Sequence, residues 1–262
     1  MKQIIVDTKS QKSEELDLIF DKIFRLVQFQ FKDRTAAAIA LSEILKDTIK
    51  KNDRKDTLVL AIPRAGILTA DVVSKKLSIP NFDIVFPRKL TDPDNKEQAI
   101  GAVIGDGLTF IHEESIKDFQ ITNEYLKKEI TFQTREIDQR KRNYYQNLQY
   151  HFLPEKIKEY KIILLVDDGI ATGATMMVTV KWLRQFDQNS FVNQRRLIIA
   201  APVAPKNIAE QIRMKYAVEV ATVFNPSQVN FNSVEQYHKN FEQVTDQQVI
   251  NILKERQCFE KV

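Results

Sequence analysis

Five consecutive apolar residues, Ile162-Ile163-Leu164-Leu165-Val166, run directly into two carboxylates and a Gly/Thr stretch, Asp167-Asp168-Gly169-Ile170-Ala171-Thr172-Gly173-Ala174-Thr175. An unbroken apolar run of this length reads as a strand buried on both faces. A helical pattern follows from Ala174 to about Phe186. The chain therefore passes from a buried strand through two acids and a small-residue loop into a helix N-terminus. Free amides at a helix start attract anions, and small residues let a phosphate approach the backbone. Two carboxylates in the same turn do not bind phosphate; they hold hydroxyls or act through a metal. A sugar phosphate meets both demands, its diol on the acids and its phosphate on the loop.

The glycines concentrate in the same kind of place. The chain has 6 glycines, where average usage of roughly 7% would give about 18. They are Gly66, Gly101, Gly105, Gly107, Gly169 and Gly173. Gly105-Asp106-Gly107 reads as a hairpin turn. Gly66, Gly169 and Gly173 read as positions where the backbone must come close to something.

Away from these loops the pattern alternates. Residues 13–29 form an amphipathic helix with Leu16, Ile19, Phe20, Ile23 and Val27 on one stripe, and a second helix follows Asp33. Strand 57–62 precedes helix 67–77, strand 82–87 precedes a polar loop with Asp92-Pro93-Asp94-Asn95, and 99–110 reads as a hairpin. Helices reach to about Tyr145; then strand 162–166, helix 174–186, strand 197–201, helix 206–216 and strand 218–223 lead into the tail. This order predicts an α/β fold with a mostly parallel sheet and helices on both faces. Ligands of such sheets sit at the carboxyl ends of the strands, where Pro63-Arg64-Ala65-Gly66 and Asp167 to Thr175 both fall.

Composition excludes several classes. The 262 residues carry 39 basic and 35 acidic side chains, interspersed, for a net charge of +4, which argues against a dedicated nucleic-acid binder. Cys258 is the only cysteine, so no intrachain disulfide forms. His112, His151 and His238 lack metal-ligand spacing. No apolar stretch reaches the ~18 residues of a membrane span, and the N-terminus lacks the apolar segment of a signal peptide, so a cytoplasmic protein without membrane partners is expected. Arg135 to Arg142 is locally basic within a long helix; its readings are a solvated face, a contact to RNA, or capture of a phosphate.

Taken alone, Asp167-Asp168 remains open as a metal pair, a phosphorylatable aspartate of the receiver type or a diol clamp, and the loop lacks the Lys of a nucleoside-triphosphate P-loop. The whole segment resembles the phosphoribosyl pyrophosphate (PRPP) signature of type I phosphoribosyltransferases. Phe31-Lys32-Asp33-Arg34, Ala61-Ile62-Pro63-Arg64-Ala65-Gly66, Pro87-Arg88-Lys89-Leu90, Ala99-Ile100-Gly101-Ala102 and Ala201-Pro202-Val203-Ala204-Pro205 extend the likeness over residues 31–249. They are similar to a microbial group of these transferases whose acceptor is not known.

The resemblance implies a Rossmann-like core over 31–224, an N-terminal helical extension over 1–30 and a C-terminal hood or tail over 225–262. It implies that Asp167 and Asp168 hold the ribose hydroxyls and favour a cationic sugar in the transition state. Ala171, Thr172, Gly173, Ala174 and Thr175 would embrace the 5-phosphate, with Gly169 and Ile170 also counted among the PRPP-binding residues. Arg64, Ala65 and Gly66 would hold the pyrophosphate, in a loop with unusual peptide geometry in relatives. Segment 88–98 resembles the mobile lid, with Arg88 and Lys89 as catalytic cations offsetting charge on departing pyrophosphate. Magnesium would arrive on PRPP oxygens, without a protein metal cage. The implied reaction is transfer of the phosphoribosyl group to a nitrogenous, flat acceptor by a homodimeric enzyme; a non-catalytic PRPP-sensing regulator is the alternative. Ala171 stands where hypoxanthine–guanine transferases carry an aspartate, which argues against those bases. Phe224, Phe231, Tyr237 and Phe241 are expected either to stack on the acceptor or to pack the tail against the core.

Overall fold

The computed structural model describes residues 29–105, 107–146, 154–187 and 195–259. The helix expected over 13–29 and His151 lie outside them, except for Phe29. Helix α1 spans Arg34–Thr48, and Asp33 caps it by accepting the Ala36 N–H at 2.8 Å. Strand β1 (Thr57–Ala61) leads into α2 (Gly66–Leu77), then β2 (Asn81–Ile84). Next come β3 (Arg88–Thr91), β4 (Ala99–Ile104) and β5 (Leu108–Ile111), followed by α3 (Glu113–Asp118) and the long α4 (Asn123–Tyr145). The second half runs β6 (Ile162–Val166), α5 (Ala174–Arg184), β7 (Arg196–Val203), α6 (Lys206–Tyr216), β8 (Glu219–Phe224) and α7 (Asp246–Phe259).

Five strands form one sheet in the order β2-β1-β6-β7-β8, every pair parallel. Because side chains alternate across a strand, each central strand feeds two cores. Val59, Ala61, Leu164, Val166, Ile198 and Ala200 face α1, α2, α4 and α7. Leu58, Leu60, Ile163, Leu165, Leu197 and Ile199 face α5 and α6. Burial on both faces is why these strands are apolar throughout, where a one-sided sheet would alternate.

The topology also chooses the site. From β1 the chain turns outward to β2 through α2 on one face; from β6 it turns the other way to β7 through α5 on the opposite face. The strand order reverses between β1 and β6, and this is where an open parallel sheet leaves a crevice. Ala61 is in register with Val166, and the Ile62 N–H donates to the Val166 carbonyl at 2.9 Å. The loops after the two strands therefore leave side by side.

Strands β3, β4 and β5 form a separate antiparallel sheet held between α4 and α5. The expected hairpin over 99–110 is β4–β5, with Gly105 and Gly107 both at positive φ. Segment 88–98 is β3 with the turn of a β3–β4 hairpin, in which Arg88 and Lys89 are strand residues paired with Val103 and Ala102. Its turn is closed by backbone bonds from the Asp92 N–H to the Gln98 carbonyl and from the Gln98 N–H to the Asn95 carbonyl, each 3.0 Å. The four-residue β3 is too short and polar to announce itself; its pairing comes from the apolar β4 beside it.

Candidate functional site

A cavity of about 530 Å³ opens above the β1/β6 crevice. The loop after β1 supplies Pro63, Arg64 and Ala65, and β3 with its lead-in supplies Pro87, Arg88, Lys89 and Thr91. The loop after β6 supplies Asp167, Asp168, Gly169, Ala171, Thr172, Gly173 and Thr175. Gly66, Ile170 and Ala174 do not line it. Ile170 and Ala174 turn their side chains into the core, and the Ile170 N–H donates to the Val203 carbonyl at 2.8 Å. Gly66 is buried immediately behind: a Cβ there would lie 2.7 Å from Asp167 Oδ1 and 2.8 Å from Asp167 Cα. Only glycine lets the start of α2 close against the acid pair. The Pro63–Arg64 peptide bond is cis, the unusual geometry the resemblance led one to expect in this loop.

The two acids differ in their surroundings. Asp167 Oδ1 accepts the Asp168 backbone N–H at 2.8 Å. Burial, then the neighbouring Asp168 charge, pushes the Asp167 carboxyl well above the ordinary carboxylate range, with Lys89 pulling the other way. Asp168 is instead paired: its Oδ2 accepts from Arg34 Nε at 2.9 Å. Arg34 also donates to the Glu242 carbonyl, and its guanidinium lies 3.7 Å from the Phe241 ring centroid. His238 packs behind Phe241 at 5.0 Å, with its Nδ1 3.1 Å from the Val234 carbonyl. A basic residue in the first turn of α1 opposes the helix dipole; its place is explained by Asp168.

The phosphate-type loop ends at Gly173, whose φ of +75° brings the chain into α5 without any side-chain cap. The first amides of α5 are thereby left facing the cavity end of the helix. Thr172 Oγ1 approaches the Ala174 N–H at 3.5 Å. Val234, from the segment after β8, covers Gly169 so closely that a Cβ there would meet it at 2.4 Å.

Arg34, Gln133 and Arg140 line the cavity without having been assigned a role in it. Arg34 belongs to a motif of the resemblance that came without a function, and Arg140 to the basic stretch Arg135 to Arg142. From the C-terminal region the lining takes Val234, Gln243 and Val244. None of Phe224, Phe231, Tyr237 and Phe241 lines it. Phe224 and Phe231 pack around the buried Tyr237 with Phe31 and Val203, and Phe241 supports Arg34 from behind. Among the described residues no three His, Cys, Asp or Glu are grouped to hold a metal, and no helix is long and apolar enough to cross a membrane.

Residues 28–239 match the phosphoribosyl transferase domain family. Two Mycobacterium tuberculosis proteins, from strains CDC 1551 / Oshkosh and H37Rv, are provisionally named phosphoribosyl transferases. Each is 28% identical over 223 residues, covering 85% of this chain and 46% of the relative. The chain thus spans about half the length of these curated relatives. The crystal structure of TT1426 from Thermus thermophilus superposes with a TM-score of 0.62 at 30% identity, covering 87% of this chain and 99% of that one. With the family's domain spanning most of its length and the same fold in a relative covered almost end to end, the chain belongs to the phosphoribosyl transferase domain family.

Proposed function

We propose that the protein transfers the 5-phosphoribosyl group from PRPP to an acceptor, releasing pyrophosphate. One observation carries this reading: an acid pair, an uncapped helix start and a cationic loop meet in one cavity at the strand-order reversal. In this reading Asp168, oriented by Arg34, and Asp167 take the ribose hydroxyls. The amides from Ala171 to Thr175, with the Thr172 and Thr175 hydroxyls, take the 5-phosphate. Arg64 and the Ala65 and Gly66 amides take the pyrophosphate, and Arg88 and Lys89 offset charge growing on it. Catalysis then rests on positioning and charge stabilisation, with no covalent enzyme nucleophile.

The donor set suits a magnesium ion carried in by PRPP. Among the described residues only two carboxylates line the cavity, and one is already paired with Arg34. When bound, the ion would neutralise phosphate charge and take its ligands chiefly from PRPP oxygens and water.

Calorimetric titration with PRPP, with and without magnesium, tests the reading. Magnesium-dependent binding that disappears in an Asp167→Asn/Asp168→Asn double variant is the expected result. No binding by the folded wild-type protein would refute it. A second reading, a PRPP-binding regulator without turnover, draws on the absence of any aromatic ring from the cavity lining among the described residues. A screen of nitrogenous acceptors for pyrophosphate release separates the two, and acceptor-dependent release would eliminate the regulator.

A further inference from the structure

Helix α4 turns an unusual face inward. Glu129, Gln133, Ile137 and Tyr144 are its buried residues, and Arg140 falls on the same stripe, three residues from Ile137 and four from Tyr144. A face that only packed would be apolar; this one carries a carboxylate, an amide and a guanidinium. The first two have evident work. Glu129 Oε1 accepts from Gln133 Nε2 at 2.9 Å, which leaves Gln133 Oε1 to accept from Arg88 Nε at 2.5 Å. Arg88 is thereby anchored through Nε, and its Nη2 comes no nearer than 3.8 Å to Glu136.

Arg140 has no such partner. Neither it nor Arg64 makes a side-chain hydrogen bond or ion pair with another described residue, yet both line the cavity with Arg88. Arg140 and Arg64 each lie within electrostatic reach of Arg88. After burial, Arg140 is the largest influence lowering the proton affinity of Arg88, and Arg64 adds to it. Like charges gathered at one wall oppose each other until an anion sits among them. The lining as a whole carries Arg34, Arg64, Arg88, Lys89 and Arg140 against Asp167 and Asp168, an excess that calls for a polyanion.

We propose that Arg140 of α4 joins Arg88 of β3 and Arg64 of the β1–α2 loop in a three-guanidinium clamp for a diphosphate group. This rests on the reading above, in which diphosphate is the leaving group. Guanidinium forks match phosphoryl oxygens two at a time, and three forks on three separate elements suit two linked phosphoryl groups better than one. The clamp also joins the two sheets of the molecule: Arg64 belongs to the parallel sheet, Arg88 and Arg140 to the small sheet and its helix. Diphosphate is thus the part of the ligand that would bridge the hairpin layer and the crevice.

The test is calorimetric titration of wild-type protein and Arg140→Gln with two probes, inorganic pyrophosphate and ribose 5-phosphate, with magnesium present throughout. Loss of one fork should weaken pyrophosphate by a factor of about 10 to 100, with ribose 5-phosphate unchanged within about twofold, since Arg140 stands outside the acid pair and the phosphate loop. If the variant unfolds at the assay temperature, Arg140→Lys carries the same comparison, with a smaller expected loss of about fivefold because charge is kept and the fork is not. Unchanged pyrophosphate affinity overturns the clamp, as does equal weakening of both probes, which would make Arg140 a structural residue. Wild-type binding of ribose 5-phosphate without pyrophosphate also overturns it while sparing the acid pair and the phosphate loop of the site above. Binding of neither probe, nor of PRPP, overturns both.

Discussion

Asp167 and Asp168 are chain neighbours with opposite electrostatic histories. Arg34 compensates Asp168, whereas Asp167 is crowded by Gly66 and the adjacent charge and has its proton affinity raised. A carboxyl whose folded-state pKa lies above its unfolded value binds more protons when folded. Its stabilising effect is complete below the unfolded value, near 3.8, and is lost as pH rises through the folded one. As pH rises above the unfolded value, Asp167 therefore increasingly destabilises the unliganded protein. Asp167→Asn should raise the unliganded melting temperature at pH 8 by a few degrees, at about 2–4 °C per kcal/mol for a chain of this size. The gain should shrink at pH 4, and thermal scans at both values would check it; a variant less stable at pH 8 would contradict the assignment. The acids themselves were legible because they are contiguous with the strand and loop that explain them. Arg34 was not: 134 positions separate it from Asp168, and nothing local to it records a partner at that distance.

At the scale of elements, the 3.6-residue period located α2, α5 and α6 to within about two residues at each end, and α1 by its start after Asp33. Helix α4 was visible as a helix but not as a site wall, because its inward stripe is polar and reads from sequence as solvated. That residues 88–91 of the segment expected as a lid form a strand was hidden for a similar reason: pairing with Ala99 and with Gly101 to Val103 decides its shape, and a four-residue polar strand carries no periodic signal. The position of α4 is secured at its far end, where the Tyr144 hydroxyl donates to Asp246 Oδ1 at 2.6 Å at the start of α7. Burial and this bond together push the Tyr144 hydroxyl far above its ordinary range, so it stays a donor at any working pH. Tyr144→Phe keeps the ring against Phe86 and removes only the bond. It should lower unfolding free energy by about 1–2 kcal/mol, read from urea denaturation with an unchanged m-value.

For the whole molecule, the parallel sheet was readable because strands buried on both faces are apolar without alternation, and the site followed from the carboxyl-edge rule. Strand order and the second sheet were not, since identical apolar runs are compatible with several neighbours. The C-terminal segment was the least legible. Its aromatics mostly build a small core with Phe31, and its last helix closes the face of the sheet that carries α2 and α4. What holds that helix is an ion pair that no local pattern announces. Arg256 grips Asp71 of α2, with Nε at 2.8 Å and Nη2 at 2.7 Å from Oδ1, and Nη2 also donates to the Asp71 carbonyl at 2.7 Å. The guanidinium lies 4.8 Å from the Phe82 ring centroid. Both side chains are about nine-tenths buried, at 11% and 12% exposure, so removing the arginine strands a carboxylate rather than merely deleting a contact. Lys75, 2.7 Å from Asp71 Oδ2, offsets part of that loss. Arg256→Ala should therefore cost about 2 kcal/mol, below the roughly 3–5 kcal/mol of a fully stranded buried charge. Asp71→Asn in the same background should restore a measurable part of it, because the stranded charge is then gone. A double-mutant cycle in urea, showing coupling well above the roughly 0–1 kcal/mol of a surface pair, would establish that α7 is clamped to α2 through Asp71. Additive losses would place its stability in the apolar contacts of Val249 and Leu253 instead.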